Sequence, residues 1–251
     1  MIEPIVYPIL TAVAFVTGFI DAIAGGGGLI MVPALLFAGV PPIQTLGTNK
    51  LQSMCGTCVA CLNFARAGLI NFREHRSTVA LVFVGASAGV LLVQAIGGAS
   101  MGLIIPILLM AVSLYVLLSP RMTDEDAHQR VGHTGYLPIA AGIGFYDGFF
   151  GPGTGSFFSS SLVGLRGFGL TRATALAKLL NLTSNVASVI FFALGGKIFW
   201  LLGLCLAIGA MAGGWLGSHS AMRFGAKLIR PMLVILSLGL TAKLLWSYFT
   251  A

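Results

Sequence analysis

Apolar runs bounded by glycine, proline or charge fall at 5–24, 28–39, 43–66, 77–97 and 101–119. After a polar stretch from Arg121 to Thr134 they recur at 135–150, 154–165, 171–194, 199–219 and 228–249. Most approach the ~20 residues that a helix needs to cross a bilayer. The second and seventh are short, and each follows a glycine cluster. The pattern predicts an all-α polytopic membrane protein in two halves. The first transmembrane repeat covers 1–119, a cytoplasmic linker 120–134, and the second repeat 135–251.

Composition supports that reading and narrows it. Of 251 residues, 57% are hydrophobic and only 8% are charged, against about 25% charged in soluble domains. So few charges exclude a soluble enzyme, a nucleic-acid-binding protein and a secreted disulfide scaffold. The net charge of +7 fits basic cytoplasmic loops and a preference for anionic partners. The opening Met-Ile-Glu-Pro has no basic region, so 5–24 reads as a retained span and not as a cleaved signal.

The halves also match in residues. Gly18-Phe19-Ile20-Asp21 aligns with Gly144-Phe145-Tyr146-Asp147, and Gly25 and Gly27 with Gly151 and Gly153. After small insertions Lys50-Leu51 aligns with Lys178-Leu179, and Phe64-Ala65 with Phe192-Ala193. Such repeats are a mark of transporters. Basic loops at 66–76, 166–172 and 223–230 fall on one side if all ten segments cross, leaving Lys197 opposite. The expectation is a 5+5 inverted repeat with both termini outside. The alternative is eight spans, re-entrant glycine segments and parallel halves.

Charge inside the apolar runs is scarce and paired by the repeat. Among the acidic residues only Asp21 and Asp147 lie within such runs, and they align; Lys50 and Lys178 align as well. An ionisable group in a span costs at least about 2.5–3.5 kcal/mol on insertion scales, so it faces a cavity or a partner. Two readings stay open. The aspartates and lysines neutralise one another as buried pairs, or the lysines attract an anion while the aspartates balance charge or carry a coupling proton.

The glycine clusters, Gly25, Gly26, Gly27 and Gly28 in one half and Gly151, Gly153, Thr154 and Gly155 in the other, each break a helix and begin a short one. A helix N-terminus inside a membrane offers free N–H groups and a positive dipole end to an anion. Broken segments at corresponding positions of two halves are the sequence mark of a transporter binding site. Lys178, Asn181 and Asn185 share one helical face, with Thr183 and Ser184 nearby; Thr48, Asn49, Lys50, Ser53 and Thr57 are comparable in the first half. Neutral donors beside a cation suit a small oxyanion. Small residues such as Gly85, Gly89, Gly209 and Gly213 fit close helix packing.

The stretches GFIDAIAGGGGLIMVPALL, GTNKLQ and GFYDGFFGPGTGSFF followed by AKLLNLTSN resemble the TauE/SafE family, and within it the YfcA-like branch. The resemblance covers essentially the whole chain. It implies a bacterial inner-membrane transporter moving sulfite, sulfonates or related oxyanions without ATP. Its motifs fall on Asp21, Gly25 to Gly28, Thr48, Asn49, Lys50, Asp147, Gly151, Gly153, Lys178 and Asn181. The second motif, GPGTG, departs from four glycines, so the half-sites need not be equivalent.

Other constellations are weaker. Cys55, Cys58 and Cys61 have helical spacing, but Thr183, Val186 and Val189 take those places in the second half, which favours packing over metal or redox chemistry. Ser156 and His219 could suggest an intramembrane nucleophile and base, without a G-x-S-x-G elbow. An anion channel is the nearer rival to a carrier. The expected partners are a small anion, the lipid bilayer and, for so small a bundle, a second copy in a homodimer; no cofactor, metal or nucleic acid is expected.

Overall fold

The computed structural model describes residues 3–118, 125 and 128–224. Among these residues there are nine helices and no strand: α1 (Val6–Ala24), α2 (Gly28–Phe37), α3 (Pro42–Arg66), α4 (Arg76–Ile96), α5 (Gly98–Leu118), α6 (His133–Phe149), α7 (Thr154–Arg166), α8 (Leu170–Leu194) and α9 (Trp200–Phe224). The expected tenth segment, 228–249, lies outside the described residues, as do most of the linker, Lys227 and Arg230. Helix α9 runs past the expected stop at 219, because Ser218 to Phe224 contains nothing that breaks a helix.

Four helices, α1, α4, α8 and α9, are long and apolar enough to cross a membrane. Helix α3 has 25 residues, and its polarity sets it apart. Thr45, Thr48, Asn49, Lys50 and Gln52 are all buried, so the bundle interior takes the polar groups that lipid would reject. Large apolar side chains face outward instead, including Leu103, Ile107, Leu201 and Ile208. Helices α2 and α7 have 10 and 13 residues. At 1.5 Å per residue they reach about 15 and 20 Å, short of the ~30 Å hydrocarbon core. Neither crosses alone, so the expectation of ten full crossings gives way to half-length segments at these two places.

The directions of the helices follow from their contacts. Glycines 209, 213 and 217 of α9 meet Thr11, Phe15 and Phe19 of α1 in the same order, so the two run parallel. Thr48 accepts the Phe199 N–H near one end of the α3–α9 contact, and Asn63 donates to Ser218 near the other; these helices are parallel too. Gly85 and Gly89 of α4 meet Ala141 and Phe145 of α6, again in order. Helices α3 and α8 oppose one another, with Gly47 against Phe192 and Lys50 against Asn185. Thus α1, α3 and α9 run one way, and α4, α6 and α8 the other. Helix α2 folds back along α1, with Met31, Leu35 and Val40 in one cluster with Leu10 and Ala14.

These close approaches rest on glycine. A Cβ at Gly85 or Gly89 would run into α6 backbone, and one at Gly209 or Gly213 into α1 backbone. Without a hydrophobic drive between helices in lipid, such backbone proximity supplies the packing.

Candidate functional site

The two breaks expected at the glycine clusters meet at the centre of the bundle. Helix α1 ends at Gly25, whose φ of 74° places it in the left-handed region and whose N–H donates to the Asp21 carbonyl. A Cβ there would strike the backbone of Gly155 and Ser156 at the start of α7, so only glycine admits the crossing. Ser156 ties the junction by donating its hydroxyl to the Ala24 carbonyl at 2.7 Å. That bond occupies the serine, while His219 lies on α9 against Trp215, so the two form no nucleophile and base.

Each deep lysine is paired with the aspartate of the other half. Lys50 Nζ donates to Asp147 Oδ1 at 2.5 Å and to Asn185 Oδ1 at 3.2 Å. The second Asp147 oxygen accepts from Asn181 Nδ2 at 2.9 Å and from the Ser184 hydroxyl. Lys50 and Asp147 are 2% and 1% exposed. Lys178 Nζ donates to Asp21 Oδ2 at 3.0 Å and to the Asp21 carbonyl. Asp21 Oδ1 accepts the Gly27 N–H at 3.3 Å, at the positive end of α2. Asp21 differs from Asp147 in being 22% exposed.

A narrow crevice lies between the pairs. Its walls are Asp21, Gly25, Gly28, Asn49, Lys50, Ser53, Asp147, Gly151, Gly153, Gly155, Asn181 and Asn185. Its free space holds little more than one water molecule. A Cβ at Gly151 would sit 2.8 Å from Lys50 Nζ, so glycine there lets the lysine reach Asp147. The walls therefore combine a buried lysine held by Asp147, the Asp21 carboxylate, carboxamides and glycine backbone at helix starts; the lysine, carboxamides and backbone N–H groups are donors of the kind that oxyanion oxygens accept.

Most of the residues singled out from the sequence converge here, and five take other places. Gly26 offers its carbonyl to the Leu29 N–H, and Gly27 serves Asp21. The Thr48 hydroxyl caps the start of α9, and Thr154 donates to the Gly151 carbonyl. Lys178 is held behind Asp21, away from the crevice wall. Ser53 and Ser184, noted in the sequence only as neighbours, touch the site directly; the spacing of Ser53 three residues after Lys50 and of Ser184 three after Asn181 was the available signal. Cys55, Cys58 and Cys61 on α3 are free thiols outside the crevice wall.

A sequence profile of the sulfite exporter TauE/SafE family matches residues 10–244. The chain belongs to this family. It is 44% identical over 247 residues to the "Probable membrane transporter protein YfcA" of Escherichia coli K12, an alignment spanning 98% of this chain and 92% of the relative. Relatives in Haemophilus influenzae and a Sinorhizobium species are 48% and 47% identical over 239 and 237 residues. They cover 95% and 94% of this chain, and 94% and 91% of their own lengths. Both are likewise named probable membrane transporters. No solved structure matches. The TauE/SafE chain is thus a membrane transporter, with its deep charges paired across its two halves.

Proposed function

We propose that this TauE/SafE protein is a secondary transporter of a small oxyanion of the sulfite or sulfonate class in the bacterial inner membrane. The observation that carries the reading is the reciprocal pairing of Lys50 with Asp147 and Lys178 with Asp21 around a glycine-walled crevice. A carboxylate is itself an oxyanion, so the present partners of Asp147 display the donors that a substrate would use. In this mechanism the substrate takes Lys50 from Asp147, and Asn49, Asn181, Asn185 and the glycine backbone at 25–28 and 151–155 complete its shell. Asp147 keeps Asn181 and Ser184 as donors, or yields them in turn.

The opposed directions of α1 and α3 against α6 and α8 support an inverted repeat, with 1–119 and 135–251 as the repeats. Loops 67–75 and 167–169 share one end of the bundle, where Arg172 and His75 line one pocket; the positive-inside rule makes this end cytoplasmic. Rocking of one half on the other then exposes the crevice to each side. The resting set of two lysines and two aspartates is neutral, so an entering anion needs a compensating positive charge. A proton on a released carboxylate is one form of it, and a bound metal cation is another.

Counterflow in proteoliposomes tests the reading, with sulfite, sulfoacetate, taurine, sulfate and simple carboxylates run with and without a pH gradient. Saturable exchange of one anion, abolished in Lys50→Ala, is expected. Undiminished exchange in that variant would remove Lys50 from the site.

A further inference from the structure

Beside the crevice lies a second cavity, between α1, α3 and α9, that shares the Asp21 and Ser53 walls and adds Thr17, Gly27, Gln52 and Thr57. It too has room for little more than one water-sized occupant. Two of its polar atoms, Gln52 Oε1 and Thr57 Oγ1, are buried and have no hydrogen-bond partner. The side chains carrying them are 3% and 2% exposed. Buried oxygen atoms without partners are costly and call for an occupant.

The chemistry of the wall identifies what that occupant is. Gln52 spends its amide donor on Asn49 Oδ1 and Ser53 Oγ, leaving its carbonyl oxygen as an acceptor alone. The Thr17 hydroxyl on the same wall donates to the Ala14 carbonyl, which leaves its oxygen with accepting capacity. With Thr57 and the Asp21 carboxylate, whose charge is shared with Lys178, these give a cage of oxygen atoms around a water-sized space. Hard cations take such ligands, and a set of mostly neutral oxygens with one carboxylate already shared with Lys178 suits a singly charged ion over a divalent one. A proton needs no cage of neutral oxygens, because it sits on one carboxylate oxygen.

We propose that Asp21, Gln52 and Thr57 bind a small monovalent metal cation of sodium size, which enters with the anion and balances its charge. The inference rests on the anion-transport reading for its coupling role and stands alone as a binding site. Anion and cation favour each other's binding because either alone leaves the buried set unbalanced. The site belongs to one half only. The positions that align with Gln52 and Thr57 are Leu180 and Asn185, and Asn185 is committed to Lys50, so Asp147 has no counterpart cage.

Equilibrium binding of radioactive sodium to the purified protein at fixed pH, without any anion substrate, tests the site directly. One ion per chain is expected, displaced poorly by choline, with affinity lowered at least about tenfold in Thr57→Val. That variant removes only an unpartnered hydroxyl and should melt like the parent. Gln52→Leu, which copies the second half, gives an independent loss. Sodium on the side of anion entry should raise counterflow in the parent and leave Thr57→Val unchanged. No saturable sodium binding, or equal binding in both variants, would overturn the proposal. Sodium binding without exchange of any anion would uphold the site and refute the transport reading. Anion exchange indifferent to sodium and driven by pH alone would refute the coupling role and uphold transport.

Discussion

Replacing Asp147 by Asn removes the charge and keeps the shape. Lys50 is then left 2% exposed, with the Asn185 carboxamide oxygen as its remaining neutral partner. Breaking a buried ion pair from one side costs about 3–5 kcal/mol, because the surviving charge has no counter-charge. In a domain of 150–250 residues each kcal/mol moves the melting point by roughly 2–4 °C, so Asp147→Asn should melt about 6–20 °C below the parent. The double variant Lys50→Met/Asp147→Leu fills the same space with apolar groups, and such exchanges are neutral or stabilising by about 1–4 kcal/mol. It should recover part of the lost stability, since Asn181, Ser184 and Asn185 also lose partners, and still exchange no anion. Asp21→Asn is the internal comparison. Asp21 is 22% exposed and Lys178 keeps its bond to the Asp21 carbonyl, so the loss should be on the order of 1–2 kcal/mol. Thermal unfolding in detergent followed by intrinsic fluorescence reads these proteins and the single variants Lys50→Met and Asp147→Leu, with counterflow beside it. Stability losses of Lys50→Met and Asp147→Leu that simply add in the double variant would refute the coupling of Lys50 to Asp147.

Two further outcomes are expected. His75, in the loop before α4, lies buried, and burial holds its pKa below the ordinary 6.5; the Glu74 charge opposes this, and His133, Arg166 and Arg172 add to it. Since the unfolded chain takes the proton first, stability is full above about pH 6.5 and falls as pH drops toward the lowered folded value; melting curves from pH 8 to 5 should show this, and His75→Gln should flatten them, a retained slope assigning it elsewhere. Single cysteines placed at Arg73 and Lys197 should be labelled from the cytoplasmic and the outer side respectively, and labelling from the same side would reject the inverted arrangement.

The hydrophobic pattern located the helices well, because a span must present an unbroken apolar run to lipid and the residues that end such runs are few. It also isolated Asp21, Asp147, Lys50 and Lys178, since charge in a span stands out against its surroundings. What it left open is which lysine meets which aspartate. Asp21 and Lys50 are near in the chain, and nothing local excludes a pair within each half; the crossing arises only when α3 and α8 oppose one another. Thr48 looked like a binding residue for its place beside Asn49 and Lys50, yet it faces the start of α9. Ser53 and Ser184 were weak signals, because serine is also ordinary glue between membrane helices. The short lengths of α2 and α7 were legible from the glycine clusters, but the packing of the two breaks against one another was not. An apolar run does not show where a helix reverses, and the reversal at Gly25 depends on contact with α7, far away in sequence.

On the proposed anion-carrier reading the crossed pairs also bear on selectivity. A substrate gains its own contacts with Lys50 less those the Asp147 carboxylate already makes, so only the difference appears as affinity. A neutral molecule of the same size gains nothing in exchange for separating a buried pair and is rejected by several kcal/mol. An oxyanion that merely equals the carboxylate binds weakly, which permits release on the far side. With the anion absent, each lysine stays matched inside the bundle, so the empty carrier can reorient without moving an unpaired charge through the membrane. On this proposal the crossed pairs set both the charge of the cargo and the low resting cost of the return step.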